Sequence, residues 1–309
     1  TAQATYAQGA VVAPMPHSPR RGPVHGWIPL CAPAPWMGNC TCAEECQQKE
    51  GSKRRVADDL PEVISLPLSF TGTGKDKATY VYADGATYTG EWRDSVRHGN
   101  GVQAWPDGAR YEGQWMNDSA HGNGRFVHAD GSVYKGEVQE DRAHGRGVFH
   151  HVDGSRCEGL WVRDQQWGDG TEAWADGSRF EGFYVRGQKH GAGKFTWADG
   201  SQYDGEFNNN SLHGRGVYRW SDGRRYEGEW RRNEMHGKGV STWPDGSIYE
   251  GEYANDLKDG EGVFKWGDGR EYDGQWRRGK QHGEGRLTTA KGLTHTGQWV
   301  DGKHKTYGS

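Results

Sequence analysis

The sequence predicts an all-β protein: an elongated, twisted, single-layer antiparallel meander that follows a disordered N-terminal tail. A motif close to Tyr-x-Gly-x-Trp recurs every 23 residues, as from Tyr88 to Tyr111, over most of the 309-residue chain. Turn residues follow each motif at a fixed offset, commonly as Asp-Gly. A fixed period of this length indicates one supersecondary unit stacked as an array. With 50 glycines and only 32% hydrophobic residues, aromatic rings must supply much of its packing.

Residues 1–68 are rich in Pro, Ala, Ser and Gly and have no sustained period, so their composition predicts a disordered leader. Residues 37–46 form a candidate acylation segment. If translation begins at the methionine before Gly38, that glycine is placed for myristoylation, and Cys40 and Cys42 for palmitoylation. The alternative is a disordered tail that happens to carry cysteines. Four of the five cysteines lie in this leader, which favours a reducing, cytoplasmic compartment.

Residues 69–87 resemble the second half of a unit, because Tyr82 precedes an Asp-Gly turn just as Trp105 does one period later. We therefore predict that they form a half-repeat capping the array. The array of 23-residue units is predicted over residues 88–302, and residues 303–309 form a C-terminal tail.

Each unit is predicted to be a β-hairpin. In the first unit, Tyr88, Gly90 and Trp92 alternate with polar residues, which places them on one face of a strand. A second strand should run from about Gly101 to Trp105, with its rings on the same face. One connection holds Asp, Asn or Gly, which tolerate positive φ, and the other is the Asp-Gly hairpin signal. Glycines inside the strands leave room for rings to lie across the bare backbone.

The complete unit continues from Tyr-x-Gly-x-Trp to His-Gly-x-Gly, which in the first unit is His98, Gly99 and Gly101. This pattern resembles the membrane occupation and recognition nexus (MORN) repeat over about three quarters of the chain. The first motif position falls at Tyr88, Tyr111, Tyr134, Cys157, Phe180, Tyr203, Tyr226, Tyr249, Tyr272 and His295. Further departures from the pattern are Val138 in the Trp column, and Trp167 and Asp259 in the His column.

The resemblance implies a MORN-repeat solenoid that acts as a non-enzymatic scaffold for protein–protein interaction. Such scaffolds belong to cytoskeletal, ciliary or flagellar (radial-spoke-like) and membrane-associated assemblies, in the cytoplasm or on the cytoplasmic face of a membrane. Two alternatives are a phospholipid-binding membrane-targeting module and the MORN-bearing part of a phosphatidylinositol-4-phosphate 5-kinase-like protein. The expected partners are other proteins, or phospholipid membranes under the first alternative, with homodimerisation through the repeat ends. A net charge of −4 gives no reason to expect nucleic acid.

No catalytic, cofactor-binding or metal-binding residues are predicted. The recurring histidines, such as His98 and His121, lie one unit apart, or ~9.6 Å across two strands. A metal needs its ligands ~2.0–2.3 Å from one centre. We interpret the histidines as turn-stabilising residues that hydrogen-bond to nearby backbone.

Two candidate binding surfaces remain. The aromatic columns serve either as packing or as a binding face for a peptide or helix; the candidates are Trp105, Tyr111, Trp115, Trp174, Trp197, Tyr203, Trp220, Tyr226, Trp230, Trp243, Tyr249, Trp266, Tyr272 and Trp276. The carboxylates of the opposite face form either a solvated surface with weak cross-strand ion pairs or a docking strip for a basic segment. The candidate acidic strip comprises Glu181, Asp204, Glu206, Glu227, Glu229, Glu250, Glu252 and Asp273. Paired carboxylates for hydrolysis are a weaker third alternative, since no single pair differs from the others.

Overall fold

The computed structural model describes residues 79–305. The predicted leader, with its candidate acylation residues Gly38, Cys40 and Cys42, lies outside this range. The strands, in chain order, are β1 (Thr79–Val81), β2 (Thr87–Arg93), β3 (Val96–Ala104), β4 (Arg110–Met116), β5 (Ser119–Val127), β6 (Val133–Gln139), β7 (Arg142–His150), β8 (Arg156–Val162), β9 (Gln165–Ala173), β10 (Arg179–Val185), β11 (Gln188–Thr196), β12 (Gln202–Asn208), β13 (Ser211–Arg219), β14 (Arg225–Arg231), β15 (Glu234–Thr242), β16 (Ile248–Ala254), β17 (Leu257–Lys265), β18 (Glu271–Arg277), β19 (Lys280–Thr288), β20 (Thr294–Val300) and β21 (Lys303–His304). Within residues 79–305, no helix is long and apolar enough to cross a membrane.

Each strand pairs antiparallel with the next, from β1 against β2 to β20 against β21, so that the described chain forms one 21-stranded open sheet. The predicted all-β antiparallel meander is confirmed. β1, which belongs to the proposed half-repeat, pairs with β2, and its turn repeats the hydrogen bonds of complete units: the Tyr82 N–H donates to the Ala86 carbonyl at 2.8 Å, as Trp105 does to Ala109 at 2.9 Å.

The second strand of each unit is longer than predicted. In the first unit it begins at Val96 rather than near Gly101, because the His-Gly pair belongs to the strand as a β-bulge. Gly99 adopts a φ of 67°, and the register shifts between Gly90 and Trp92 on the facing strand. A bulge accommodates the extra residue and increases the local twist.

The connection between the two strands of a unit is a two-residue turn in which both residues have positive φ, as in Asn117 (51°) and Asp118 (67°). This confirms the interpretation of the Asp, Asn and Gly column. Asp118 also joins neighbouring units: its Oδ1 accepts the Arg97 N–H at 2.7 Å, and its N–H donates to the Arg97 carbonyl at 3.1 Å. Asn233 makes the same pair of bonds to Leu212. The turn residue therefore sets both the hairpin and the stacking of units.

A continuous row of cross-strand paired glycines runs across the sheet from Gly90 on β2 to Gly297 on β20. The ring of each motif tyrosine lies over this row. A Cβ at Gly113 would come within 2.5 Å of the Tyr111 hydroxyl and 2.6 Å of the Gly124 Cα. The Tyr111 hydroxyl in turn donates to the Gln114 carbonyl at 3.1 Å. A bare backbone in this row is thus the condition for burying the tyrosine layer, as predicted for the strand glycines.

The buried rings form two hydrophobic clusters along the sheet. One extends from Tyr88 to Trp161 and the other from Phe180 to Trp299. Between them lie the buried polar side chains of Gln166 and Glu172, and most other units hold an apolar residue at the Glu172 position.

Candidate protein-binding faces

The face that carries the motif tyrosines, here called the ring face, is largely covered by its own side chains. Eight of the fourteen aromatic candidates are at most 5% exposed: Tyr111, Trp115, Tyr203, Tyr226, Trp230, Tyr249, Tyr272 and Trp276. The Trp115 and Trp230 indole N–H groups donate to the Gly101 and Gly216 carbonyls at 3.2 and 3.3 Å. In this conformation the burial of these eight residues favours the packing alternative over the binding face. The physical reason is that the tyrosine rings lie flat on the glycine row.

The other six aromatic candidates are half-buried tryptophans that follow the second strand of their units: Trp105, Trp174, Trp197, Trp220, Trp243 and Trp266. They stack against second-strand rings along the sheet. Ring centroids are 4.5 Å apart for Phe195 and Trp197, 5.0 Å for Trp197 and Tyr218, and 4.5 Å for Tyr218 and Trp220. Only these tryptophans give the ring face accessible aromatic surface among the fourteen candidates.

The opposite face, here called the carboxylate face, carries all eight residues of the acidic strip in two columns. The first acidic column directly follows the motif aromatic and holds Glu181, Asp204, Glu227, Glu250 and Asp273. The second acidic column lies two residues further on and holds Glu206, Glu229 and Glu252. Five of the eight are exposed, whereas Glu229, Glu252 and Asp273 are half-buried.

The second acidic column also supports the β-bulge. The Glu206 Oε1 accepts the Arg215 N–H at 3.1 Å, and the Glu229 Oε1 accepts the Lys238 N–H at 3.3 Å. A carboxylate has about four lone-pair sites, so one such bond leaves the side chain able to accept from a partner. These residues therefore have a local structural role in addition to their negative charge.

The first acidic column is only partly neutralised in its C-terminal half. Val217 lies between Asp204 and Glu227 in the register, and Val240 lies between Glu227 and Glu250. At the two ends, Lys194 faces Asp204 and Arg286 faces Asp273. Among residues 79–305, ion pairs reach two members of the strip, Glu227 through Arg225 and Asp273 through Arg286. Nearer the N-terminus, an open groove on the same face mixes both signs of charge and is lined by Glu112, Arg125, Lys135, Arg146 and Glu158, among others. Negative potential is thus concentrated in the C-terminal half of the carboxylate face.

The histidine column shows no hydrogen bonding of the predicted kind at two positions. The buried Nδ1 atoms of His98 and His282 have no hydrogen-bond partner, so the interpretation as backbone-bonding residues is wrong for those atoms. Within the described range, no group of three or more His, Cys, Asp or Glu side chains is arranged to hold a metal ion.

A buried ion pair in the ring layer was not predicted from the sequence. The Lys189 Nζ lies 2.7 Å from the Glu172 Oε2, with side-chain exposures of 1% and 2%, and the Tyr184 hydroxyl donates to the same carboxylate oxygen at 3.1 Å. Burial raises the pKa of the Glu172 carboxyl and lowers that of the Lys189 amine, while their pairing opposes both shifts. A signal was present, because Glu172 occupies a position held by Phe in units such as that of Phe195.

Lys258, three units after Lys189, is likewise surrounded by aromatic rings but has Ser241 at the position that Glu172 occupies. Its Nζ lies 4.3 Å from the Phe264 ring centroid and 5.0 to 5.1 Å from those of Trp243, Tyr249 and Trp276. Burial lowers the pKa of Lys258 to about 7. No ion pair involving it is formed within the described sheet. The four ring faces provide cation–π attraction that offsets part of the cost of burying its charge.

These features define a class of protein: a single-sheet β-repeat array whose rings pack on one face and whose carboxylates line the other. The MORN repeat family matches nine consecutive segments, at residues 88–110, 111–133, 134–156, 157–179, 180–202, 203–224, 226–248, 249–269 and 272–294. The chain belongs to the MORN repeat family and carries a repeat scaffold. No curated protein matches the sequence significantly.

Among solved structures, the chain is similar to the TCP domain of SAS-4 (dCPAP) of Drosophila melanogaster, in complex with a proline-rich motif of Ana2 (dSTIL). The identity is 13% and the TM-score 0.32, covering 63% of this chain and 99% of that one. It is also similar to the TCP10 domain of Danio rerio CPAP in complex with a STIL peptide, at 12% identity and a TM-score of 0.27, covering 72% and 99%.

Proposed function

We propose that this protein is a non-enzymatic MORN-repeat scaffold that binds extended segments of partner proteins along its carboxylate face. The observation that carries the proposal is the asymmetry between the two faces. The ring face buries its motif tyrosines to less than 2% exposure, whereas Asp204, Glu206, Glu227 and Glu250 are exposed and recur with the repeat. A recurring, incompletely neutralised column favours a basic partner that follows the array.

The repeat spacing limits the form of such a partner. Successive members of the first acidic column lie two strands apart, or ~9.6 Å. A polyproline II segment advances ~9.3 Å per three-residue turn, so a basic residue at every third position would keep step with the carboxylates. An extended partner can therefore make the same contact several times, and its affinity rises with the number of matched units.

We propose cytoskeletal, ciliary or membrane-associated assemblies as the setting, following the family's known locations. The carboxylate face disfavours direct binding to anionic phospholipid, because it would meet a surface of the same sign. Lipid binding by this face therefore remains the weaker candidate.

The test is fluorescence anisotropy at about 0.15 M salt, where long-range attraction is screened. The probe is a peptide of five Lys-Pro-Pro repeats, and its control has the same composition with the lysines clustered. We expect the periodic peptide to bind about tenfold more tightly. Equal binding of the two peptides would show that the array senses only net charge and would overturn the proposal.

Variants of the full chain locate the contact. Combining Asp204→Asn, Glu227→Gln and Glu250→Gln should weaken binding of the periodic peptide at least about tenfold. The matched control is Glu112→Gln with Glu158→Gln, which changes the same column in its charge-compensated N-terminal half. Similar losses in both variants would contradict a C-terminal docking strip.

A further inference from the structure

Three large apolar side chains are exposed together on the carboxylate face. Leu160 on β8 is 41% exposed, and Trp167 on β9 and Phe183 on β10 are each 39% exposed. We call these three residues the apolar patch. They belong to consecutive strands and lie next to the gap between the two hydrophobic clusters of the ring face.

The geometry brings the three side chains to one site. Phe183 pairs in register with Asp169 on β9. A side chain at Gly168, on the same strand, would place its Cβ 3.4 Å from the Leu160 Cδ1. Leu160 and Phe183 therefore flank β9 from its two sides. Trp167 projects from β9 on the same face, since along Gln165–Ala173 it alternates with buried Gln166 and Gly168.

The apolar patch is a local departure from the repeat. Leu160 and Phe183 occupy the second acidic column, whose other members are Glu or Gln: Glu91, Gln114, Glu137, Glu206, Glu229, Glu252, Gln275 and Gln298. Trp167 occupies the histidine column.

These substitutions remove a stabilising contact from the isolated fold, and no other contact in the described sheet compensates for it. Glu206 accepts a bulge N–H at 3.1 Å, and a leucine or phenylalanine side chain cannot accept one. The two substitutions therefore remove a bulge contact and expose apolar surface to water. A group of exposed apolar side chains on an otherwise polar surface marks an interaction site.

The surroundings of the patch indicate its occupant. In the C-terminal direction the same column changes from Leu160 and Phe183 to Glu206, Glu229 and Glu252, one residue every second strand. Asp204 and Glu227 reinforce this negative charge, while Arg215 and Lys238 on the intervening strands oppose part of it. From the patch towards the C-terminus, the carboxylate face therefore changes from apolar to acidic.

We infer that the apolar patch anchors an extended segment of a partner protein that carries apolar side chains followed by basic residues at every third position. The inference rests on the proposed scaffold function and specifies the partner of the same face. The apolar side chains fix the register of the segment at Leu160, Trp167 and Phe183. The basic residues then pair with Glu206, Glu229 and Glu252.

The test compares peptides of equal length in an anisotropy assay with the full chain. The anchored peptide is Leu-Pro-Pro-Leu-Pro-Pro-Lys-Pro-Pro-Lys-Pro-Pro-Lys, made also in the reverse direction because the polarity of the partner is open. The reference peptide replaces both leucines with lysine. We expect one direction of the anchored peptide to bind at least about tenfold more tightly than the reference.

The patch variant combines Leu160→Glu, Trp167→His and Phe183→Glu. Each substitution installs the residue type that other units use at that position, so the fold should be retained, and circular dichroism checks this. The patch variant should bind the anchored peptide no more tightly than the reference peptide, and it should still bind the reference peptide. Adding Glu229→Leu, His236→Trp and Glu252→Phe to the patch variant should move the anchor site and reverse the required order of apolar and basic residues.

The outcomes separate this inference from the proposed function. If both peptides bind equally and depend on the strip carboxylates, the anchor is refuted and the scaffold proposal stands. If neither peptide binds, both fail. Patch-dependent pelleting with phosphatidylserine–phosphatidylcholine vesicles, without peptide discrimination, would assign the patch to membranes and overturn the inference.

Discussion

The buried pair of Glu172 and Lys189 gives a sharp test of how the ring layer is stabilised. At 2.7 Å and an effective dielectric constant of 20, Coulomb attraction is about 6 kcal/mol. Desolvation of each ion costs several kcal/mol, so the net contribution of the pair is small. Removing one partner is different, because the remaining charge stays buried alone. We expect Lys189→Leu to lower the free energy of unfolding by about 3–5 kcal/mol.

The double variant, Glu172→Phe with Lys189→Leu, restores residue types found at these positions in other units, such as Phe195 and Leu212. Its free energy of unfolding should lie within about 1 kcal/mol of the wild type, since the Tyr184 hydroxyl loses its acceptor but no charge is left unpaired. A double-mutant cycle of the wild type, the two single variants and the double variant should therefore show strong coupling between Glu172 and Lys189.

The assay is guanidinium denaturation followed by tryptophan fluorescence, with hydrogen exchange of β9 to β11 to locate the change, because stability in repeat arrays is distributed along the chain. The matched control is Lys194→Leu, which removes the charge that faces Glu181 across the strands on the opposite, exposed face. It should change stability by less than about 1 kcal/mol. A Lys189→Leu effect no larger than this control, or a double variant as unstable as the sum of the single variants, would refute the reasoning.

Three further predictions concern stability. Gly216→Ala places a Cβ against the Tyr203 ring and should cost roughly 2–4 kcal/mol in urea denaturation; a loss below 1 kcal/mol would contradict the packing role of the glycine row. Lys258→Met should raise the free energy of unfolding near pH 7 by roughly 2–3 kcal/mol. Because the pKa of Lys258 falls from 10.5 to about 7 on folding, the unfolded chain binds more protons between these values and wild-type stability rises with pH across that window. The stability advantage of Lys258→Met over the wild type should therefore shrink towards pH 10. A difference between the two proteins that does not change with pH would rule the explanation out. Asn233→Gly tolerates the positive φ of 69° but loses the 2.7 Å hydrogen bond from the Leu212 N–H. Asn233→Ala loses the same bond and also strains the turn, so it should lower the thermal midpoint more than Asn233→Gly. The reverse order of the two midpoints would disprove this explanation.

Much of the fold could be predicted because each unit repeats the same local chemistry. The motif tyrosines and strand glycines predicted the shared face, and the Asp and Asn residues at the turns predicted the positive φ values, such as 67° at Asp118. The start of the second strand could not be placed, because the bulge at Gly99 changes the register without interrupting the period. A bulge is defined by the pairing of residues across two strands, which the sequence of one strand does not show.

The candidate sites were less predictable. Sequence columns showed that Tyr111 and Trp115 share a face, but not that both are buried to 5% exposure or less. Burial depends on how closely a ring approaches the glycines of the next strand, which is a property of the assembled sheet. The same limit applies to Leu160 and Phe183. Their departure from the column is visible in the sequence, whereas their position on both sides of Trp167 is visible only in the structure.

The sequence by itself determined the repeat, its family, the antiparallel hairpins and the separation of rings from carboxylates, because these follow from local periodicity and turn chemistry. The tertiary structure alone decided which side chains meet across units. It paired Lys189 with Glu172, 17 residues apart, and surrounded Lys258 with four rings. It also covered the ring face with its own side chains and left the carboxylate face exposed. These outcomes depend on strand register and twist, which set the distances between residues that the period keeps far apart along the chain.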